Sequence, residues 1–339
     1  MKFALTVGLH PRRPQEMGEH TRLAEANGFA MVMTGDNPSV FGEHFASLAL
    51  IAINTTTARV GSFISNTLTR HPAISALGLA TIDALAPGRA FLGLSSGDTA
   101  ATNLGLKPAT VAQMEAYITA IKDLHAKGEA TWEGAKIQAA YKRPGLPVFM
   151  AAGGPRTLRL AGRVADGVFV ETGLLPEVIE DARRQIAAGA AEAGRSPDDI
   201  EVWFHARAAI AESREAALAL ASASIAGIGK RLARNGGRGK LIPERLWPAI
   251  QELGERYDNM NHVGDSRPAA NAPLLDQLGL SDYLADRFAL VGTPEDYRTR
   301  LTQLRALGVQ NIAVAATMPD RAAWIEAMGR EVIPAMTEA

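Results

Sequence analysis

The chain has 339 residues and no cysteine. Disulfides, iron–sulfur clusters and thiol nucleophiles are thereby excluded. Aromatic side chains are scarce at 6%, and neither sign of charge prevails: 35 basic against 36 acidic residues leave a formal net charge of −1. Such a balance provides no field that would draw nucleic acid or an anionic membrane surface. Long hydrophobic runs are also missing, and none is expected to approach the roughly 20 residues of a membrane span. The amino terminus, Met1-Lys2-Phe3-Ala4-Leu5-Thr6-Val7, turns polar at His10-Pro11-Arg12-Arg13, too soon for a signal peptide. The expectation is a cytoplasmic protein whose partner is a small molecule, with no nucleic acid and no membrane.

What is present is a large apolar fraction, 47%, arranged in a recurring unit. An Ala/Leu-rich helix ends at a glycine, and a β-branched strand follows. Leu23-Ala24-Glu25-Ala26-Asn27-Gly28 leads into Phe29–Met33, and Leu304-Arg305-Ala306-Leu307-Gly308 leads into Asn311–Ala315. Glycine at these points reads as a left-handed helix cap. Further strands are expected at Phe3–Leu9, Arg59–Ile64, Ala90–Leu94, Val148–Ala151, Val168–Val170 and Glu201–Ala208, making eight. They are short and apolar on both faces, as parallel strands require. Helix starts are marked at Ser196-Pro197-Asp198-Asp199 and Thr293-Pro294-Glu295-Asp296. Eight strands alternating with helices predict an α/β chain, a (β/α)8 TIM barrel; an open doubly wound sheet is the competing architecture. From about 213 to 290 no strand is evident, and Arg234-Asn235-Gly236-Gly237-Arg238-Gly239-Lys240 reads as a glycine-rich basic turn. That stretch is read as a helical insertion before the last strand, within a single domain spanning 1–339. Thr131–Lys136 looks like a small added hairpin.

Barrel ligands bind at the C-terminal ends of the strands. Polar or glycine residues gather at five successive ends: Thr34-Gly35-Asp36-Asn37, Ser65-Asn66, Ser95-Ser96-Gly97-Asp98, Ala152-Gly153-Gly154 and Glu171-Thr172-Gly173. In the fourth of these, a glycine pair precedes Pro155 and a short helix. Its free N–H groups and positive dipole end make a phosphate cradle or, alternatively, an ordinary tight connection. Arg156 and Arg163 could pair a phosphate there. His10, at the end of the first strand, is an acid/base or substrate-contact candidate, while His71 reads as a helix start. The seven histidines show no metal-ligand spacing. There is no Gly-x-Ser-x-Gly elbow, no Rossmann spacing after a strand and no Walker loop. A polar cradle without evident nucleophiles suits an enzyme whose cofactor carries the chemistry.

Three motifs in fixed order carry a resemblance: Ser65-Asn66-Thr67-Leu68-Thr69-Arg70-His71-Pro72, Phe91-Leu92-Gly93-Leu94-Ser95-Ser96-Gly97-Asp98, and Ala152-Gly153-Gly154-Pro155 running on to Asp166-Gly167. Over nearly its whole length the chain resembles the luciferase-like monooxygenase superfamily, flavin- and deazaflavin-dependent barrel oxidoreductases, in the branch containing methylenetetrahydromethanopterin reductase. The resemblance implies a non-proline cis peptide at Phe63–Ile64, a bulge behind the cofactor ring. It implies that Asn66 hydrogen-bonds the ring or its chain, and that Gly97, Asp98, Ala152, Gly153 and Gly154 hold the ribityl chain and phosphate. Glu171 and Thr172 complete the cofactor-binding set. Asp36 falls near the ring's reactive face and, with His10, forms the candidate catalytic pair. Where members often have histidine after this acid, Asn37 stands here, which departs from the pattern.

The implied activity is an oxidoreductase, either hydride transfer with the deazaflavin coenzyme F420 or monooxygenation with reduced FMN, on a small organic substrate. A homo-oligomer is implied as well, and a separate flavin reductase if FMN is used. Two alternatives remain: a non-catalytic flavin-binding protein on the same fold, or a barrel lyase or isomerase using a phosphorylated substrate. The latter would need a lysine or a metal cluster at a strand end, and the strand ends supply neither.

Overall fold

Eight parallel strands pair in chain order and the last closes on the first. The computed structural model describes residues 1–8, 13–140, 142–258, 271–316 and 320–337. Within them the barrel strands are β1 (Lys2–Thr6), β2 (Met31–Thr34), β3 (Arg59–Ser62), β4 (Ala90–Ser95), β5 (Val148–Ala152), β6 (Gly167–Val170), β7 (Glu201–Ile210) and β8 (Asn311–Ala316). Phe3 pairs with Ile312 and Phe204 with Val170, so the sheet has no open edge of the doubly wound kind. The barrel expectation holds, and the open sheet is excluded.

The local signals act as their chemistry predicts. Gly28 (φ 87°) and Gly308 (φ 78°) end helices Pro14–Ala26 and Pro294–Ala306 in the left-handed region. Thr293 and Asp296 cap the latter reciprocally, Thr293 N–H donating to Asp296 Oδ2 at 2.8 Å. Ser196 makes a similar box but opens only a three-residue 3-10 turn, Pro197–Asp199, because β7 begins two residues later. The hairpin forms from Glu129–Trp132 and Ala135–Gln138, turning through Glu133 and Gly134 at positive φ.

Side chains alternate across the strands, dividing the core into an inner and an outer part. Outward residues pack under the helices in one large cluster. Inward positions carry Phe63, Phe91, Phe149, Phe169 and Trp203, with Met31 and Met33. Five aromatics of a chain poor in them therefore fill the barrel's interior. Arg59 closes the lower end, its guanidinium about 5.2 Å from the Phe91 centroid and 2.7 Å from Glu201 Oε2.

Between β7 and β8 lie helices Arg214–Gly229, Trp247–Arg256, Leu274–Gln277, Ser281–Phe288 and Pro294–Ala306. The first four share an apolar core of their own, with Ile225, Ile228, Leu253, Leu284 and Phe288 at its centre. One expectation is corrected here. A short strand, Ala289–Gly292, extends the sheet beside the C-terminal half of β7. It follows Phe288 without a turn, so its four apolar residues read as the continuation of a helix. The run Arg214–Gly237 is also long and apolar enough by length and composition to cross a membrane, although half of the qualifying window is buried in the protein. Its alanines and isoleucines are spent on that second core.

Candidate active site

The C-terminal ends of the strands open into a cavity of about 2760 Å³ roofed by the segment after helix Arg214–Gly229. Asp36, Phe63, Ile64, Asn66, Gly97, Asp98, Gly153, Gly154, Glu171 and Thr172 all line it. Ala152 does not: it is outward-facing and fully buried under the helices, leaving only its backbone at the cradle. His10 lies outside the described residues.

At the end of β3 the chain shifts sideways. The Phe63–Ile64 peptide bond is cis, and the next two residues pair with β4 instead of β2. Phe63 N–H donates to Thr34 O at 2.8 Å, and Asp36 N–H donates to Ile64 O at 3.3 Å. Gly93 permits this crossing, because a Cβ there would sit 2.2 Å from Ser62 O. His44, which the sequence reading did not single out, braces both sides. It is buried, donates from Nδ1 to Gly35 O (3.2 Å) and accepts at Nε2 from Ser62 Oγ (2.7 Å). Facing a carbonyl, Nδ1 must carry the proton, and burial lowers the ring's pKa, keeping it neutral.

Asp36 is 5% exposed. Its Oδ2 accepts from Ser65 Oγ at 2.6 Å and from Arg70 Nη1. Arg70 in turn reaches Glu43 Oε1 at 3.0 Å and lies over the Phe45 ring. Burial alone would lower the Arg70 pKa, yet Asp36 and Glu43 raise it. The acid is therefore fixed in place, with both bonds on one oxygen. Asn66 is a further fixed point: Oδ1 accepts from Leu68 N–H (3.0 Å) and Thr69 N–H (2.9 Å). Its Nδ2 is buried without a partner. A buried amide donor left unpaired beside a cavity is a place for a ligand acceptor.

Across the mouth, helix Pro155–Val164 begins at Gly154. A Cβ on Gly153 or Gly154 would meet no protein atom within 4 Å, so the space in front of the helix N-terminus is open. Arg156 is exposed at this rim. Arg163 is not available to it, being paired with Glu115 at 2.8 Å and Glu192 at 3.2 Å. Gly239 presses against Pro155, where a Cβ would fall 2.7 Å from the ring. The glycine-rich basic turn thus sits on the cradle, with Asn235, Gly236, Gly237, Gly239 and Leu241 all at positive φ.

Two residues in the roof were not anticipated. Arg231 joins two strand ends: its Nε lies 2.8 Å from Asp98 Oδ2, and its Nη1 3.0 Å from both oxygens of Glu171. Arg234 takes the other oxygen of Asp98. Desolvation would raise the Asp98 pKa, but these arginines hold it well below the usual carboxylate range. Arg287, buried, donates to the carbonyls of Thr172 (3.0 Å), Lys240 (2.6 Å) and Leu241 (3.1 Å), fastening the same turn. Below them, His205 is fully enclosed with neither ring nitrogen hydrogen-bonded, 4.6 Å from the Phe63 ring. Burial, then the charges of Arg207 and Arg231, push its pKa well down.

Taken together, the closed ring of eight parallel strands and the cavity over their C-terminal ends, with an open glycine turn at β5, define a (β/α)8 barrel of the TIM class. The luciferase-like monooxygenase family model matches residues 2–311, and the chain belongs to that family. It is 29% identical over 330 residues to 5,10-methylenetetrahydromethanopterin reductase of Methanolobus tindarius, covering 94% of this chain and 95% of that one. It is 24% identical over 354 residues to the F420-dependent glucose-6-phosphate dehydrogenase of Microbacterium testaceum, covering 98% and 97%. Among solved structures, the coenzyme F420-dependent tetrahydromethanopterin reductase of Methanopyrus kandleri superposes with a TM-score of 0.78 at 24% identity, covering 98% of each chain.

Proposed function

We propose that the chain is an oxidoreductase that binds coenzyme F420 or FMN in the barrel mouth and acts on a small organic substrate. The observation that carries this reading is the unpartnered Asn66 Nδ2, set beside the Phe63–Ile64 bulge in the same cavity as the open Gly153–Gly154 cradle. Family membership and relatives named as F420-dependent enzymes support it. When bound, such a cofactor supplies hydride transfer as a deazaflavin, or oxygen activation as reduced FMN.

The chain's own residues would do the rest. Phe63 and Ile64 back the ring, and Asn66 donates to it from Nδ2. The N-terminus of helix Pro155–Val164 and the glycines before it take the phosphate. Arg156 and Arg238 line that rim, have no ion pair among the described residues and suit an anionic tail. Asp36, held through Oδ2 by Ser65 and Arg70, keeps Oδ1 to accept or return a substrate proton. Asp98 and Glu171, already engaged by Arg231, hold the roof down and exclude water. Barrel and insertion then work as one domain spanning 1–339. Monooxygenation would require a separate flavin reductase to supply reduced FMN.

We read the protein as a cytoplasmic homo-oligomer. Self-association is supported by an exposed apolar face on two adjacent helices, His44–Ile53 and Pro72–Leu85, where Ile53 is 64% and Ile74 54% exposed. The deciding experiment is a fluorescence titration of the purified protein with F420 and, separately, with FMN. Saturable quenching by one is expected. No quenching by either would refute the reading.

A further inference from the structure

The barrel's axis holds a charge that the cofactor determinants leave unused. On β7 the inward positions are Trp203, His205 and Arg207, at the strand period of two. Trp203 packs in the interior, while Arg207 emerges at the top and lines the cavity. Its side chain is half-buried, its Nε is buried without a hydrogen-bond partner, and no described carboxylate pairs with it. Burial and then the charge of Arg231, against the opposing charge of Glu171, lower its pKa only to about 10. Arg207 is therefore a cation at neutral pH. Its neighbour Arg231 is neutralised by two carboxylates; Arg207 is not. A partly desolvated guanidinium without an anion is costly to keep.

Sheet register shows what stands beside it. Arg207 is level with Ala315 on β8, and Leu5 on β1 is level with Val314, which places Thr6 level with Ala315. Thr6, Ala315 and Arg207 thus form one row across three adjacent strands, and all three line the cavity. With strands about 4.8 Å apart, the outer backbones are about 10 Å from each other, with only a methyl group between. Thr6 Oγ1 is also buried and without a partner. The row offers a forked cation at one end, a hydroxyl at the other and a small apolar floor. That donor set fits a carboxylate or phosphate group. The Gly153–Gly154 cradle is two strands away at the end of β5, so one anion cannot serve both places.

We propose that Arg207 and Thr6 form a second anion subsite, which takes a carboxylate or phosphate group of the substrate. This rests on the barrel mouth being the redox site argued above. The test is thermal melting with inorganic phosphate and, separately, with acetate. It is run in an Arg156→Gln/Arg238→Gln background, so that the cradle's rim contributes little. One anion should raise the melting temperature saturably, phosphate marking phosphorylated substrates and acetate carboxylic ones. Arg207→Met should at least halve that rise and melt no lower than its parent without anion; Arg207→Lys should keep part of the rise. F420 and FMN dissociation constants in Arg207→Met should stay within about twofold. An undiminished rise in Arg207→Met, or no rise in the parent, would overturn the subsite. A tenfold loss of cofactor affinity in Arg207→Met would overturn it too, by assigning the arginine to the cofactor. If no cofactor binds the wild type while the anion response still follows Arg207, the subsite stands and the redox reading falls.

Discussion

Asn66 has an amide oxygen used twice and an amide nitrogen not used at all. Asn66→Asp separates the two: the oxygen still accepts from Leu68 and Thr69, but the donor is gone. Cofactor affinity should fall about tenfold, roughly 1.4 kcal/mol, with little change in melting temperature. Unchanged affinity by fluorescence titration would remove Asn66 from the site. Gly93 makes the opposite kind of prediction. Gly93→Ala drives a methyl into the backbone of Ser62, so unfolding in urea should show a loss of about 3 kcal/mol. Asn66, Asp36 and the glycine cradle were legible as candidates in the sequence because they sit at strand ends. Arg207 and His205 were not singled out, although a histidine and an arginine at alternate positions of an apolar strand were a readable sign. Arg231 carried no such sign: its partners Asp98 and Glu171 are 133 and 60 residues away in sequence.

Elements are joined by a few charged side chains acting on backbone. Glu25, in helix Pro14–Ala26, accepts from the N–H groups of Thr56, Thr57 and Ala58, just ahead of β3. Burial works to raise its pKa, but those N–H donors and the Thr57 hydroxyl bring it down to about 2. A carboxyl depressed in the folded state stabilises fully above its unfolded pKa, about 4.5, and loses that contribution as pH falls toward 2. Wild-type stability should therefore drop between about pH 5 and pH 2. Glu25→Gln should lower neutral-pH stability by about 2 kcal/mol and flatten that part of the profile. Equal slopes for the two proteins in urea unfolding would contradict the account. The helix itself was legible from its periodicity and Gly28. The strand Ala289–Gly292 was hidden because four apolar residues fit either period.

For the whole molecule, the exposed face of helices His44–Ile53 and Pro72–Leu85 is the feature most in need of cover. Ile53, Ile74, Leu77 and Leu85 are each at least 44% exposed. Burying such residues against a second copy would stabilise a dimer at roughly 25 cal/mol per Å² of apolar area, less the costs of association. Leu77→Lys combined with Ile74→Asp should shift light-scattering mass from dimer to monomer while the melting transition persists. A monomeric wild type, or an unchanged dimer in the variant, would rule this face out.

The sequence by itself determined a parallel α/β fold of eight strands, because short strands apolar on both faces must be covered by the helices between them. The pairing of β1 with β8 decided that the sheet closes as a barrel and does not stay open. The sequence also located the candidate cofactor-binding residues, since strand ends and glycine turns are local features. Only the tertiary structure decided how the mouth is charged. Whether a cation there is matched, as Arg231 is by Asp98 and Glu171, or left over, as Arg207 is, depends on register and on an insertion folding back across the barrel. Local periodicity carries no information about contacts that span more than a hundred residues.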